Sequence, residues 1–316
     1  MPAGVVHWDE VDFHRRAKGE MDAEWQWLGR AAGCVGVGVN RVRVAPGKLP
    51  TPPHSHGASE ELYYVLAGSG LAWQDDVVHS VRPGDCVIHR ADEHEHTFVG
   101  GPDGLEYLVF ATNYRTELGW LPRSRAVRLG WPWVEGRTDD PWDVEASVSA
   151  LQVGQPAPRP ANIVNIDEVE PESWGRAVTA PLATDERSAQ AGLHWERLEP
   201  GGRGSPPHCH SEEEELFVIL DGACTLELWP SPVMASRGGQ YEEVPLRPGH
   251  VIARPPGTKI AHSFLAGGDG VTMLIYGTRK PNDMAWYPRS NKIYWRGLGV
   301  IGRIEALEYS DGEPDN

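Results

Sequence analysis

The chain repeats itself, and the repeat carries the same ionisable groups at the same places. His54-Ser55-His56, then Glu61, then His96 recur as His208-Cys209-His210, Glu215 and His262. From Pro46-Gly47 to Gly68 the first copy maps onto Pro200-Gly201 to Gly222 at a constant offset of 154. After a loop of different length the offset becomes 166. It carries His96 onto His262, Gly101 onto Gly267, Asp103 onto Asp269, and Leu121-Pro122-Arg123-Ser124 onto Tyr287-Pro288-Arg289-Ser290. A repeat this long, with imidazoles and a carboxylate in register, predicts two like domains, each with a candidate metal site.

The 316 residues suffice for two domains that each bury a core. Short apolar stretches such as Val35–Val44, Leu62–Leu66, Leu105–Ala111, Leu193–Leu198 and Val271–Tyr276 lie between scattered glycines and prolines. Many short β-rich runs with Pro-Gly and Asp-Gly punctuation predict an all-β sandwich or barrel. The best helix falls within Pro141–Leu151. Gln152–Pro160, with three prolines, reads as an extended connection. Ile163–Val169 then echoes Val5–Val11, so the expected division is 1–151, a linker at 152–162, and 163–316. Ser231–Gln240 makes up most of the length difference between the copies and reads as a surface excursion.

Bulk properties exclude some functions. A formal charge of -16, with no clustered Lys and Arg, argues against a nucleic-acid partner. No run of about eighteen apolar residues offers a membrane span, and the N-terminus has no signal-peptide pattern. Cys34, Cys86, Cys209 and Cys224 form no CxxC pair and read as reduced thiols. A soluble, cytoplasmic protein is expected.

Strand geometry organises the repeated groups. Residues two apart on a strand share a face, so His54 and His56 point one way and Ser55 the other. The same pleat pairs His208 with His210 and turns Cys209 away. Glu61 and Glu215 each open the next strand, with Tyr63 and Phe217 on their side. A fourth donor must come from a distant strand, and His96 and His262 can supply it; His94 is a rival to His96, although the offset of 166 pairs His94 with Ile260. Three imidazoles and a carboxylate suit Fe, Mn, Co, Ni, Cu or Zn as a divalent ion, up to one per domain.

With these motifs assembled, the chain resembles the cupin superfamily. The first cupin motif is matched by His54, His56, Glu61 and Gly68, and again by Gly202, His208, His210, Glu215 and Gly222. The second appears as Pro83-Gly84-Asp85 with His96, and as Pro248-Gly249, Pro255-Pro256-Gly257 and His262. Arg90-Ala91-Asp92 replaces the usual Pro-x-Gly in the first half, and Gly100 or Ala266 stands where an asparagine often follows. The resemblance implies two tandem double-stranded β-helix barrels, related to jelly rolls, with a metal inside each.

Arg43 and Arg197 occupy matching positions before each motif, where they could hold a substrate carboxylate or simply pair with the acidic surface. Tyr63 and Phe217 are expected beside the metal, as packing or as substrate contacts. Trp131, Trp133, Trp286 and Trp295 are expected to pack between domains or subunits. The resemblance to bicupin dioxygenases, with two open coordination positions, favours a dioxygenase-type oxidoreductase acting on a small organic molecule. A metal-dependent isomerase or decarboxylase, or a non-catalytic binding cupin, is the alternative; a lid with Ser-Glu-Asn, as in decarboxylases of the family, is absent. Two fused barrels already resemble a pseudo-symmetric dimer, and a homodimer of the whole chain is a further expectation.

Overall fold

The computed structural model describes residues 4–129, 140–307 and 310–314. Its frame is a pair of eight-stranded antiparallel sheets, each rolled into a barrel. In the first, the order runs Ile163–Asn165, Asp85–His89, Glu61–Gln74, His96–Thr112, Val37–Val44, Met21–Gln26 and His14–Lys18, with Val77–Val81 added to Glu61–Gln74. The second runs Val5–His7, His250–Arg254, Glu215–Pro230, Ile260–Thr278, Ala191–Leu198, Ala177–Ala183 and Glu172–Trp174, with Glu242–Leu246 added. Two smaller sheets cover the barrel mouths. One joins Ser55–His56 to Leu118–Leu121, and the other joins Cys209–His210 to Met284–Tyr287.

The long paired strands turn the barrel corner at irregularities. Glu61–Gln74 slips register against His96–Thr112 between Val65 and Ala67 and again between Gly68 and Gly70. Gly68 sits at φ +76°, and a Cβ there would lie 2.2 Å from the Gly104 carbonyl oxygen. Gly222 repeats this at φ +72° and 2.3 Å from Gly270. The motif glycines are therefore required by a left-handed backbone pressed against a neighbouring strand.

Inside the barrels, alternate residues build two matched apolar cores. Tyr63, Val65, Phe98 and Leu105 fill the first, and Phe217, Ile219, Phe264 and Val271 fill the second. The opposite faces of the same strands are also apolar, because they face each other. Leu62, Ile88, Leu108 and Phe110 pack against Leu216, Val218, Leu274 and Tyr276 in one inter-barrel core. Phe110 and its repeat equivalent Tyr276 stack at 5.3 Å with planes 15° apart, marking the pseudo-twofold axis.

The halves exchange their first strands. Val5–His7 pairs with His250–Ile252 of the second sheet, and Ile163–Asn165 pairs with Asp85–Val87 of the first. The division drawn at 1–151 and 163–316 is thus crossed twice, and each sheet is completed by a strand from the other copy. Two buried carboxylates reinforce the exchange. Glu60 accepts from Ser188 Oγ at 2.6 Å, Ala189 N at 3.0 Å and Gln190 N at 2.9 Å. Glu214, its equivalent at offset 154, accepts from Val35 N at 3.0 Å and Gly36 N at 2.7 Å.

Helix is scarce. Pro141–Ser147 is helical within the expected segment, capped by Asp140. Leu28–Ala32 is a five-residue helix with no recognised sequence signal, ended by left-handed Gly33. The 231–240 excursion holds a single turn, Pro232–Ala235, capped by Ser231. Trp131 and Trp133 lie outside the described residues. Trp286 and Trp295 lie in the small sheet over the second barrel mouth, where Trp286 pairs with Cys209. Trp286 thus lies beside the strand bearing His210, and Trp295 one strand farther out.

Candidate metal centres

Each barrel gathers its four predicted donors around one carboxylate oxygen. In the first, Glu61 Oε2 lies 3.1 Å from His96 Nε2, 3.4 Å from His56 Nε2 and 3.8 Å from His54 Nε2. In the second, Glu215 Oε2 lies 3.1 Å from His262 Nε2, 3.4 Å from His210 Nε2 and 3.6 Å from His208 Nε2. Donors about 2.1 Å from an ion and at right angles to one another stand about 3 Å apart, so this spacing is that of a coordination shell. The strand reading explains the convergence. His54 and His208 form bridges to His96 and His262, bringing the short segment over the long strand.

The donor chemistry also fits a cation. His210 Nε2, His262 Nε2 and Glu215 Oε2 are buried with no hydrogen-bond partner, as is His56 Nε2 in the first barrel. Polar atoms orphaned this way are costly unless something else satisfies them. Three of the rings are tied back at the far nitrogen: His54 Nδ1 to the Pro52 carbonyl at 2.9 Å, His208 Nδ1 to Pro206 at 2.8 Å, and His96 Nδ1 to His94 at 2.9 Å, whereas His56 Nδ1 and His262 Nδ1 are buried without a hydrogen bond. A ring that donates from Nδ1 presents Nε2 as the lone-pair face. His94 itself is half-exposed and bonds Asp75 Oδ2 at 2.7 Å, which removes it as a rival to His96.

Two supporting carboxylates went unrecognised in the sequence. Asp283 Oδ2 lies 2.6 Å from His210 Nδ1, and its other oxygen receives Glu212 N and Glu213 N. Glu117 is its equivalent at offset 166. It stands 3.6 Å from His56 Nδ1 and receives Gly57 N, Ala58 N and Ser59 N. His210, Glu213 and Asp283 also lie close enough to share an ion, but the short His210–Asp283 hydrogen bond marks that trio as support, with Nε2 left facing Glu215. The acid-for-acid match at offset 166 was the available signal.

The same carboxylates set the protonation of the metal-free sites. Burial opposes a charged His56, yet Glu61 and Glu117 outweigh it and push the ring up to about 10. His210 behaves alike, pushed up to about 10 against burial by Glu215 and Asp283. Burial pushes His54 and His262 down to about 3. Burial opposes the charge on Glu61 and Glu215, but the neighbouring imidazoles hold both well below the carboxylate range. Without metal, His56 with Glu61 and His210 with Glu215 are thus imidazolium–carboxylate pairs, with neutral His54 and His262 beside them. The stabilisation from the raised histidines is complete below the ordinary histidine range and is lost as pH rises through about 10. A cation must displace that proton, so binding is expected to release about one proton per site near pH 7, and affinity to rise with pH. Zn²⁺ titrated into weakly buffered protein with a pH indicator measures the release; an unchanged pH would contradict the assignment.

Around the donors the two barrels differ. Glu61 faces His89 across paired strands, and Glu215 faces Arg254 at the equivalent place. His89 stacks on His96 at 3.8 Å, and both its nitrogens are buried without partners. Arg254 is buried; it donates to the Ile260 carbonyl at 2.7 Å and leaves Nε unpaired. Tyr63 donates to Glu61 Oε2, whereas Phe217 packs against His262 with centroids 5.2 Å apart. A cavity of about 610 Å³ opens beside Glu215, lined among others by Gly192, His194, Ile275, Gly277 and Arg279. Ile275, not Phe217, forms its apolar wall.

The arginine expectation needs correction. Val42 and Val44 point into the first barrel, so the pleat turns Arg43 outward, where it lies over Phe13 at 4.2 Å and 3.4 Å from Glu106. Arg197 is likewise exposed beside inward Leu198. Neither reaches a metal site, so neither can hold a substrate there.

The cupin domain family matches residues 40–109 and again 194–276, and each match contains the HxH-Glu set and the later histidine. Among solved structures, a formate complex of oxalate decarboxylase from Lactobacillus farciminis aligns at 12% identity and a TM-score of 0.60. The alignment covers 90% of this chain and 88% of that one. Bacillus subtilis oxalate decarboxylase at pH 4.6 aligns at 15% identity and 0.58, over 86% and 75%. Vicilin from tomato (Solanum lycopersicum) aligns at 15% and 0.56, over 90% and 87%. No curated protein matches the sequence. Matched in both halves by the cupin domain and built as two fused barrels like these structures, the chain is a bicupin of the cupin superfamily.

Proposed function

We propose that the protein is a metal-dependent enzyme acting on a small organic acid, with decarboxylation as its reaction. One observation carries the reading: Glu215, on whose Oε2 three histidine nitrogens converge, also lines a cavity of about 610 Å³. A divalent ion held by these residues would supply Lewis acidity to a chelating acid. The same donor set would serve an acid together with dioxygen equally well, so it does not favour the dioxygenase expected from the sequence. The structural relatives that are enzymes are named as decarboxylases, which favours the alternative.

The chain's own residues have definite tasks in such a reaction. Asp283 and Glu213 hold the loop bearing His210 and Glu215. Breaking a carbon–carboxylate bond leaves an electron pair that must receive a proton, so a proton-holding group has to face the cavity.

The test is turnover of a panel of small carboxylic acids by Mn²⁺-, Fe²⁺- and Zn²⁺-loaded protein, with carbon dioxide release and oxygen consumption followed together. Release without stoichiometric oxygen uptake is expected. Matched oxygen uptake and incorporation would return the dioxygenase reading, and metal-independent release would end both.

A further inference from the structure

The cavity beside Glu215 exists because two inward positions carry no side chain. Glu215, Gly277 and Gly192 lie opposite one another on three adjacent strands. A Cβ at Gly277 would stand 3.8 Å from Glu215 Cγ, and one at Gly192 would come within 3.4 Å of His194 Nε2. His194 shares this inward direction, since Ala191 and Leu193 face the inter-barrel core. Its imidazole lines the same cavity as Glu215 and makes no hydrogen bond or ion pair among the described residues. Burial and then Arg279 hold it below the usual histidine range, against a weaker pull from Glu172 and Asp185. At neutral pH it is an uncommitted, uncharged base.

The first barrel has the same frame with different chemistry. There the row is Glu61, Ala111 and Gly38. The offsets of 154 and 166 place Asn40 where His194 stands and Asn113 where Arg279 stands. Amides replace a titratable ring and a cation.

We propose that the second barrel, and not the first, takes a small acid anion, with His194 as the group that gains a proton when the anion binds. The inference rests on the metal-site reading above. An anion entering beside a neutral imidazole raises the ring's proton affinity, and the imidazolium then donates a charge-assisted hydrogen bond to it. The groups facing His194 are Glu172 from the outermost strand, Asp185 and Glu186 from the preceding turn, Arg279 and Arg296 at the rim, and Glu213 and Glu215 within. The acidic ones favour the imidazolium once it forms. Arg279 is held away from the anion by its own bonds to Asp185, Ser188 and Ala183, which leaves His194 as the uncommitted donor. In decarboxylation the balance closes on this residue. The carbon–carboxylate bond breaks, carbon dioxide leaves without the electron pair, the pair on carbon takes the imidazolium proton, and His194 returns neutral.

Calorimetric titration of metal-loaded protein with oxalate at pH 7, in two buffers of different ionisation enthalpy, reads the proton count directly. The wild type is expected to take up about one proton per oxalate bound at this site. His194→Asn, which installs the residue of the first barrel, should abolish the uptake and weaken oxalate by about tenfold with metal content unchanged. His194→Gln should do the same, and Asn40→Ala should leave both quantities at wild-type values. Proton uptake persisting in both His194 variants, or oxalate failing to bind the metal-loaded wild type, overturns the inference while the metal sites stand. Wild-type protein that takes no metal overturns the metal reading and this inference with it.

Discussion

Glu215→Leu is expected to lower the metal content of the chain from about two ions to about one, and Glu61→Leu to do likewise, with the double variant holding none. Each glutamate oxygen is the point on which three imidazole nitrogens converge. Without it only neutral nitrogens remain, and each ion loses its one charge-neutralising ligand. Affinity should fall by more than the roughly 10–100-fold that follows loss of a residue which only orients a ligand. The folds should survive, because each barrel keeps its apolar core, Val65, Phe98 and Leu105 in the first and Ile219, Phe264 and Val271 in the second. In metal-free protein the Leu variants should melt within a few degrees of wild type, and only the metal-induced rise in melting temperature should vanish. Elemental analysis beside calorimetry reads both. A variant retaining two ions would mean the carboxylates are not ligands.

Glu60→Ala is expected to destabilise the whole chain by about 3 kcal/mol, from the loss of hydrogen bonds to a buried carboxylate and the stranding of their donors. Glu60 receives a hydroxyl and two backbone N–H groups from the other copy, and no water replaces it at 2% exposure. The melting midpoint should fall by roughly 4–5 °C. Glu214→Ala should cost less, because burial pushes the Glu214 carboxyl up; desolvation already offsets part of its hydrogen bonding. Glu214→Gln, which keeps one acceptor without the charge, should cost least. Both transitions should remain single and cooperative, since the exchanged strands and the core around Phe110 and Tyr276 join the barrels. Two separate transitions in Glu60→Ala would show that the halves unfold independently.

Much of this was legible in the chain because it is local or repeated. Pleat alternation placed His54 with His56 and Ser55 opposite, and a constant offset chose His96 over His94. Alternation could also have placed Arg43 outside, since Val42 and Val44 flank it, but the arginine was read by its repeat position alone. The strand exchange was not legible. Val5–His7 and Ile163–Asn165 read as strands, yet nothing in a strand's sequence says which edge it will join. Nothing local marks Glu60 and Glu214, each next to a ligand glutamate, as buried; their partners come from the opposing copy. His194 was hidden for a similar reason: its role depends on two glycines on adjacent strands that leave space in front of it.

X-ray absorption at the metal edge of cobalt-loaded protein tests the central claim most directly, because it counts donor atoms around the ion. The account predicts about three imidazole nitrogens and a carboxylate oxygen at about 2.1 Å, with water completing the shell, for each of two ions per chain. A shell of oxygens without imidazole scattering, or sulfur at about 2.3 Å, would contradict it.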